Sequence, residues 1–246
     1  MARRSHSDYY WTRRTVTAVE AGTEVPDVRA PDRRQRRSRA ALEGALLHLV
    51  ETRPYPDLTV DEIVGEADLA RATFYAHFAD KEALLIATVD RTITELAVRV
   101  EPIAILPTGT YDGRAVYELL LHAQEHPGLY RVVLSGCGGV EARRRMLAAI
   151  EAATGRVLAR SVDELGARPR VPVASATRYY VAQIAALIET LLADDGGIDP
   201  VTATTELVGF ATRGLAWGLD LDGKLTHDQT SLASYVRDRA ATRGAS

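Results

Sequence analysis

The chain has 246 residues, a formal net charge of −3 and one cysteine, in a moderately apolar composition rich in alanine. That length accommodates a small domain of roughly 50 residues beside a larger one. The charge balance excludes a protein that coats nucleic acid indiscriminately, Cys137 alone excludes an internal disulfide framework, and no window approaches the roughly 18 unbroken apolar residues of a membrane span.

The basic start, MARRSHSDYYWTRR, has no apolar stretch behind it, so no secretory signal is expected and the chain is read as cytoplasmic. Residues 1–32 lack sustained periodicity and contain Gly22, Pro26 and Pro31, which predicts a flexible N-terminal arm. Tyr9, Tyr10 and Trp11 are its exception, able to dock on the body or stack on a partner. Residues 29–39, RAPDRRQRRSR, set six arginines against the single acid Asp32. Charge alone fits a solvated run as well as a DNA-tracking arm; beside a DNA-reading helix, Arg36 and Arg37 become DNA contacts.

The first helix is expected from about Arg34 to Glu51, with Ala41, Ala45, Leu46, Leu49 and Val50 along one side and Pro54 and Pro56 stopping it. Thr59 then opens TVDEIVGEA, and Glu62 three residues on completes a capping box, with Leu58 and Ile63 placed as a hydrophobic staple. A tight connection at Asp68-Leu69-Ala70 leads to RATFYAHF, where Phe74 and Phe78 share a face. Asp80 can cap a fourth helix that runs to about Glu101, ended by Pro102.

Beyond residue 110 the patterns are helical: 112–125, 127–136, 140–165, 172–194, 201–219 and 227–240. The one short β-like run is VPV at 171–173. The fold class is therefore all-α, with a helix-turn-helix unit at 33–84 and a helical bundle at 85–246.

Residues 58–78 form a short helix, a tight turn and a second short helix, braced by a longer one. A single helix fits the roughly 12 Å major groove when a partner helix buries its apolar side. With Leu69, Phe74 and Phe78 inward, Arg71, Ala72, Thr73, Tyr75 and His77 face out. Arg71 can pair with guanine and Thr73 with a base edge or thymine methyl, while Tyr75 and His77 suit phosphates. Lys81 adds charge at the next helix's positive end, and Thr59 can serve its cap and a phosphate together. Asp57, Asp61, Glu62, Glu66 and Asp68 lie nearby and must face away from the DNA backbone.

LTVDEIVGEADLARATFYAHFADKEALL resembles the N-terminal domain of the TetR/AcrR family of bacterial regulators, through its Leu-Thr start, its short helix, the TFYAHF core and Lys81-Glu82 opening a long fourth helix. The resemblance covers about a fifth of the chain. It implies a homodimer on a pseudo-palindromic double-stranded DNA operator, usually a repressor released by a small effector. It also implies DNA contacts at Thr59, Arg71, Thr73, Tyr75, His77 and Lys81, with Phe74 and Phe78 in the core. One departure stands out: the family commonly has Gly-Val-Ser where this chain has Asp68-Leu69-Ala70, so Asp68 must take a left-handed turn and Ala70 cannot cap the helix after it.

In the larger domain, Tyr180, Ile184, Leu187 and Leu191 on 174–193 and Leu207, Ala211, Gly214 and Gly218 on 201–219 form stripes that would pair with their symmetry mates in a four-helix interface. Expected effector-lining residues are Tyr117, Leu121, Met146, Tyr179, Phe210 and Trp217, with His122, Arg178 and Cys137 as polar contacts. The aromatic and apolar bias favours a hydrophobic effector. No cofactor, metal or membrane partner is expected: no CxxC exists, and the six histidines are taken as unpaired at ligand spacing. An enzyme is the rival class, but GxGxxG, P-loop, GxSxG and HExxH patterns are all missing, and Cys137 in SGCGG has no base nearby in sequence. A constitutive repressor or an activator stays open as the second alternative.

Overall fold

The structure, a computed structural model, describes residues 33–104, 110–193, 197–224, 226–227 and 229–243. The expected arm at 1–32, with Tyr9, Tyr10 and Trp11, lies outside these residues.

Helix α1 (Arg33–Thr52) buries Leu42, Ala45, Leu46 and Val50 and exposes its arginine-rich first turns. Behind Pro54 a 3₁₀ turn (Tyr55–Asp57) inserts Tyr55 into the core and hands the chain to α2 (Val60–Glu66). The capping box forms as expected: the Thr59 hydroxyl accepts from the Glu62 amide at 3.3 Å, and the Thr59 amide donates to the Glu62 carboxylate at 2.8 Å. Helix α3 (Arg71–His77) follows, then α4 (Lys81–Ala104), opened by Asp80 accepting from the Ala83 amide at 2.7 Å. Helix α4 continues past Pro102, so the expected stop there is corrected to Ala104.

The larger part comprises α5 (Arg114–Glu125), α6 (Pro127–Leu134), α7 (Val140–Glu164), α8 (Val173–Leu191), α9 (Pro200–Gly218) and α10 (Gln229–Arg243). All six expected helices form. The VPV run is no strand, since Val173 already begins α8. One small feature departs from the helical pattern, a parallel pairing of β1 (Thr110–Tyr111) with β2 (Thr226–His227) that ties the start of α5 to that of α10. No described helix is long and apolar enough to cross a membrane.

One apolar core runs from Leu42, Phe74 and Leu84 through Leu120, Leu129 and Met146 to Ile184 and Ile188. Helix α4 is its spine, packing on α1 at its N-terminal end and on α5 and α7 further along. The start of α6 is pressed onto the end of α1. A Cβ on Gly128 would stand 2.3 Å from the Val50 carbonyl oxygen, and the Gly128 amide donates to the Glu51 carboxylate at 3.0 Å. Glycine is required there by close approach, not by backbone angle. Glu43, buried between helices, accepts from Arg39 at 3.0 Å and Arg91 at 3.3 Å and so ties α1 to α4.

Candidate nucleic-acid interface and effector cavity

The α2–α3 connection is a left-handed helix end. Asp68 adopts φ +52°, and the Leu69 amide reaches back to the Val64 carbonyl at 2.9 Å while Leu69 packs on the core. Asp68 therefore does what glycine does more cheaply, and Ala70, the N-cap of α3, makes no side-chain cap bond. At the start of α3 the Thr73 and Phe74 amides donate to the Ala70 carbonyl at 2.8 and 3.4 Å.

Phe74 is fully buried and Phe78 nearly so, with the Arg39 guanidinium 4.9 Å above the Phe78 ring. That orientation exposes Arg71, Ala72 and Tyr75, and leaves Thr73 and His77 half-buried at the edges of the same face. Arg36 and Arg37 are exposed on the first turn of α1.

Three of the acids around this unit have basic side chains as partners. Glu62 binds Arg53, Glu66 lies 2.7 Å from His48, and both oxygens of Asp61 accept from Arg71. The Arg53 and Thr59 hydrogen bonds hold the Glu62 carboxyl down at about 2. Hydrogen bonding to Asp61, then to Tyr75, raises the Arg71 pKa further above its usual range.

Two of the expected DNA contacts have partners within the chain. The Lys81 ammonium donates to the carbonyls of Tyr55, Pro56 and Leu58 at 2.8, 3.1 and 2.7 Å and sits 4.6 Å over the Tyr55 ring. Its three donors are used, so Lys81 pins α4 to the 3₁₀ turn. Partial burial accordingly lowers its pKa. The Thr59 hydroxyl donates to Glu62 at 2.8 Å while accepting its amide. The hydroxyl is thus engaged in the cap of α2.

Between α4, α5, α6 and α7 lies a cavity of about 390 Å³. Its walls are apolar, formed by residues such as Ile93, Leu96, Leu119, Met146 and Ile150, with Arg156 and Arg160 contributing from α7. Of the expected effector residues only Met146 lines it. Tyr117 and Leu121 instead pack against Leu232 and Tyr235 of α10. Cys137 is exposed in the turn before α7. His122 is one residue removed: fully buried, its Nδ1 lies 3.0 Å from the Tyr130 hydroxyl, and Tyr130 forms the wall. Burial first, then His126 and Arg99, push the His122 pKa down to about 4, so the imidazole is neutral near pH 7.

Arg178, Tyr179, Phe210 and Trp217 point away from the cavity, on the outer face of α8 and α9, where Phe210 is 77% exposed and Trp217 57%. The expected dimer stripe is inverted by the same fact. Tyr180, Ile184, Leu191 and Leu207 are buried in this chain's own core, and Leu187 is half-buried. Gly218 faces Val171, whereas Gly214 is open; the Ala211 side chain lies outside the described residues. The cavity residues of α4 were missed because their apolar repeat reads as ordinary core. The only usable signal is that this repeat continues at Ile93, Leu96 and Val100, beyond the reach of the DNA unit.

Residues 44–88 match the family model described as bacterial regulatory proteins, tetR family. An uncharacterised HTH-type transcriptional regulator, YxbF of Bacillus subtilis, is 35% identical over 97 residues, which are 37% of this chain and 23% of that one. The HTH-type transcriptional regulator EthR of Mycobacterium tuberculosis is 35% identical over 63 residues, 26% of this chain and 29% of that one. The chain thus matches less than a third of the length of these relatives. The solved structure of the transcriptional regulator FadR from Bacillus subtilis, in complex with stearoyl-CoA, shares the fold with a TM-score of 0.62 at 16% identity, covering 71% of this chain and 98% of that one. The similarity to the tetR family of bacterial regulatory proteins is thus carried by the N-terminal unit, residues 44–88.

Proposed function

We propose that the protein is a ligand-responsive repressor that binds a pseudo-palindromic operator as a homodimer in the cytoplasm. The observation that carries this is the outward face of α3, where Arg71, Ala72 and Tyr75 are exposed while Phe74 anchors the opposite side in the core. Arg71 reads a base edge, Thr73, Tyr75 and His77 contact edges or phosphates, and Arg36 and Arg37 track the backbone.

The dimer forms through the outer faces of α8 and α9. Tyr179, Phe210 and Trp217 are large apolar side chains at the surface, and Gly209 and Gly214 between them leave room for close helix approach. Two recognition helices must then sit about 34–36 Å apart, or a near multiple, to enter successive major grooves.

The effector occupies the cavity. Its apolar walls fit a hydrocarbon body, and Arg156 fits an acidic head group, joined by Arg160 once it exchanges its Glu164 partner at 2.7 Å. Helix α4 begins in the DNA unit at Lys81 and lines the cavity at Thr92, Ile93, Leu96, Ala97 and Val100. An effector that prefers one position of α4 therefore changes the spacing of the recognition helices.

The test is selection of bound DNA from a random pool with the full chain, followed by release assays with straight-chain carboxylic acids of increasing length. A two-fold-symmetric site, released by acids in the wild type but not in Ala149→Trp, is the expected result. No enriched sequence overturns the DNA-binding reading. Release that persists in Ala149→Trp overturns the effector site.

A further inference from the structure

His122 and His126 stand one turn apart on α5, and Glu95 of α4 faces them. One ligand atom from each of the three lies within 4.8 Å of the others. The two histidines, expected to be unpaired at ligand spacing, stand at i, i+4, which places both rings on one side of the helix, their centroids 4.8 Å apart.

A second observation gives the cluster its direction. His122 is fully buried, and its Nε2 has no hydrogen-bond partner. A buried, unpaired polar nitrogen costs about 1–3 kcal/mol, so native folds seldom keep one without a use. Its other nitrogen is already engaged with the Tyr130 hydroxyl at 3.0 Å. With the proton on Nδ1 donated to Tyr130, Nε2 presents a lone pair, which is how ligating histidines are oriented by an outer partner.

We propose that Glu95, His122 and His126 form a binding site for one divalent transition-metal ion that clamps α4 to α5. Two imidazoles and a carboxylate are borderline ligands. They suit zinc, cobalt or nickel better than magnesium or calcium, which prefer all-oxygen shells, or cuprous ion, which prefers sulfur. Bonds of about 2.1 Å put tetrahedral ligand atoms roughly 3.4 Å apart, so atoms now up to 4.8 Å apart must close by as much as about 1.4 Å. Glu95 and His126 are partly exposed and can make that adjustment, leaving a fourth position for water. The surrounding charge is mixed. Arg91 pairs with Glu95 at 3.3 Å and Arg99 with Glu125 at 2.5 Å, while Glu118 is held by Arg239 at 2.8 Å. The metal must displace or outbid the Arg91 contact.

The site lies directly behind Tyr130, a wall of the effector cavity, and on the helix that leaves the DNA unit. Occupancy would hold α4 against α5. Metal binding itself does not depend on the regulator reading; only its effect on DNA rests on that reading.

The experiment uses untagged full-length protein, stripped with chelator and titrated by calorimetry with zinc and, separately, magnesium. One zinc per chain and no magnesium binding is the expected result, with visible d–d bands on cobalt substitution. His126→Gln and Glu95→Gln should each weaken zinc binding at least 10-fold, and Tyr130→Phe about 10-fold through loss of the outer hydrogen bond. His48→Gln and Cys137→Ser should leave it unchanged. His126 and Glu95 are chosen because they are less buried than His122, and metal-free melting curves check that the variants are folded. Absence of saturable zinc binding overturns the proposal, as does binding that survives both His126→Gln and Glu95→Gln. Zinc bound at this site by a chain that selects no DNA leaves the metal site standing and sinks the regulator reading.

Discussion

The Arg71 guanidinium, at the first position of the recognition helix, donates to both oxygens of Asp61 at 2.5 and 2.6 Å. The pair joins α3 to the start of α2 on the surface proposed to face DNA. An exposed pair of this kind contributes little to stability, and its importance is for recognition. Asp61 pre-orients the arginine and also competes with a base for it.

Two substitutions separate those effects. Arg71→Ala should lose about 1–3 kcal/mol of discrimination at one base-pair position. Asp61→Asn should raise affinity several-fold for all sequences and steepen the salt dependence, because it removes a negative charge beside the phosphates. Binding of a site series across salt concentrations distinguishes the two. Unchanged binding in both variants means that α3 is not the reading helix.

The turn before that helix carries two local costs, an aspartate at φ +52° and an alanine N-cap. Asp68→Gly and Ala70→Ser should each stabilise the fold by about 1 kcal/mol, and the effects should add approximately if the two changes act independently. Urea denaturation measures this. Ala70→Ser also supplies a hydroxyl near the DNA backbone, so it should tighten binding beyond any change in stability.

Gly128 meets the end of α1 with no room for a side chain. Gly128→Ala forces α6 away from Val50 and strains the Glu51 bond, at an expected cost of about 1–3 kcal/mol. Gly44→Ala, at an exposed helical glycine with open space around it, should instead be neutral or stabilising. Thermal melts of the two variants provide the comparison.

The α2 capping box should fail in acid. Glu62 is held at about 2 against an ordinary value of 4.5, so its contribution is fully present above the unfolded value and is lost as pH falls through the folded one. Wild type should therefore melt higher than Glu62→Gln at neutral pH, with the gap closing between pH 4.5 and 2. A gap that stays constant across that range would show that the carboxylate charge plays no part.

The outer faces of α8 and α9 expose Phe210 and Trp217. Phe210→Asp combined with Trp217→Asp should produce a folded monomer by sedimentation, with operator affinity reduced at least 100-fold because both half-sites are no longer engaged together. Tyr180→Asp should unfold the protein instead, since Tyr180 belongs to the core of its own chain.

Local chemistry was legible in the amino-acid order alone. The helix-turn-helix could be read because its signals are short-range: the Thr59–Glu62 cap, the Phe74–Phe78 pair and the strain at Asp68 each depend on residues within four positions. The helices of the larger domain were legible for the same reason, from apolar periodicity and Gly/Pro breaks. What the order could not reveal was which apolar residues meet. Tyr180 and Tyr179 are neighbours of one type, yet one fills the core and the other faces out, because the rotation of α8 is set by its packing against α7 and α9. Lys81 reads as a free cation until the 3₁₀ turn 23 to 26 residues earlier brings three carbonyls to it. The cavity and the Glu95–His122–His126 cluster exist only because α4 and α5 lie side by side. Sequence separation hides such contacts, since tertiary packing chooses one face of each helix out of several with similar apolar content.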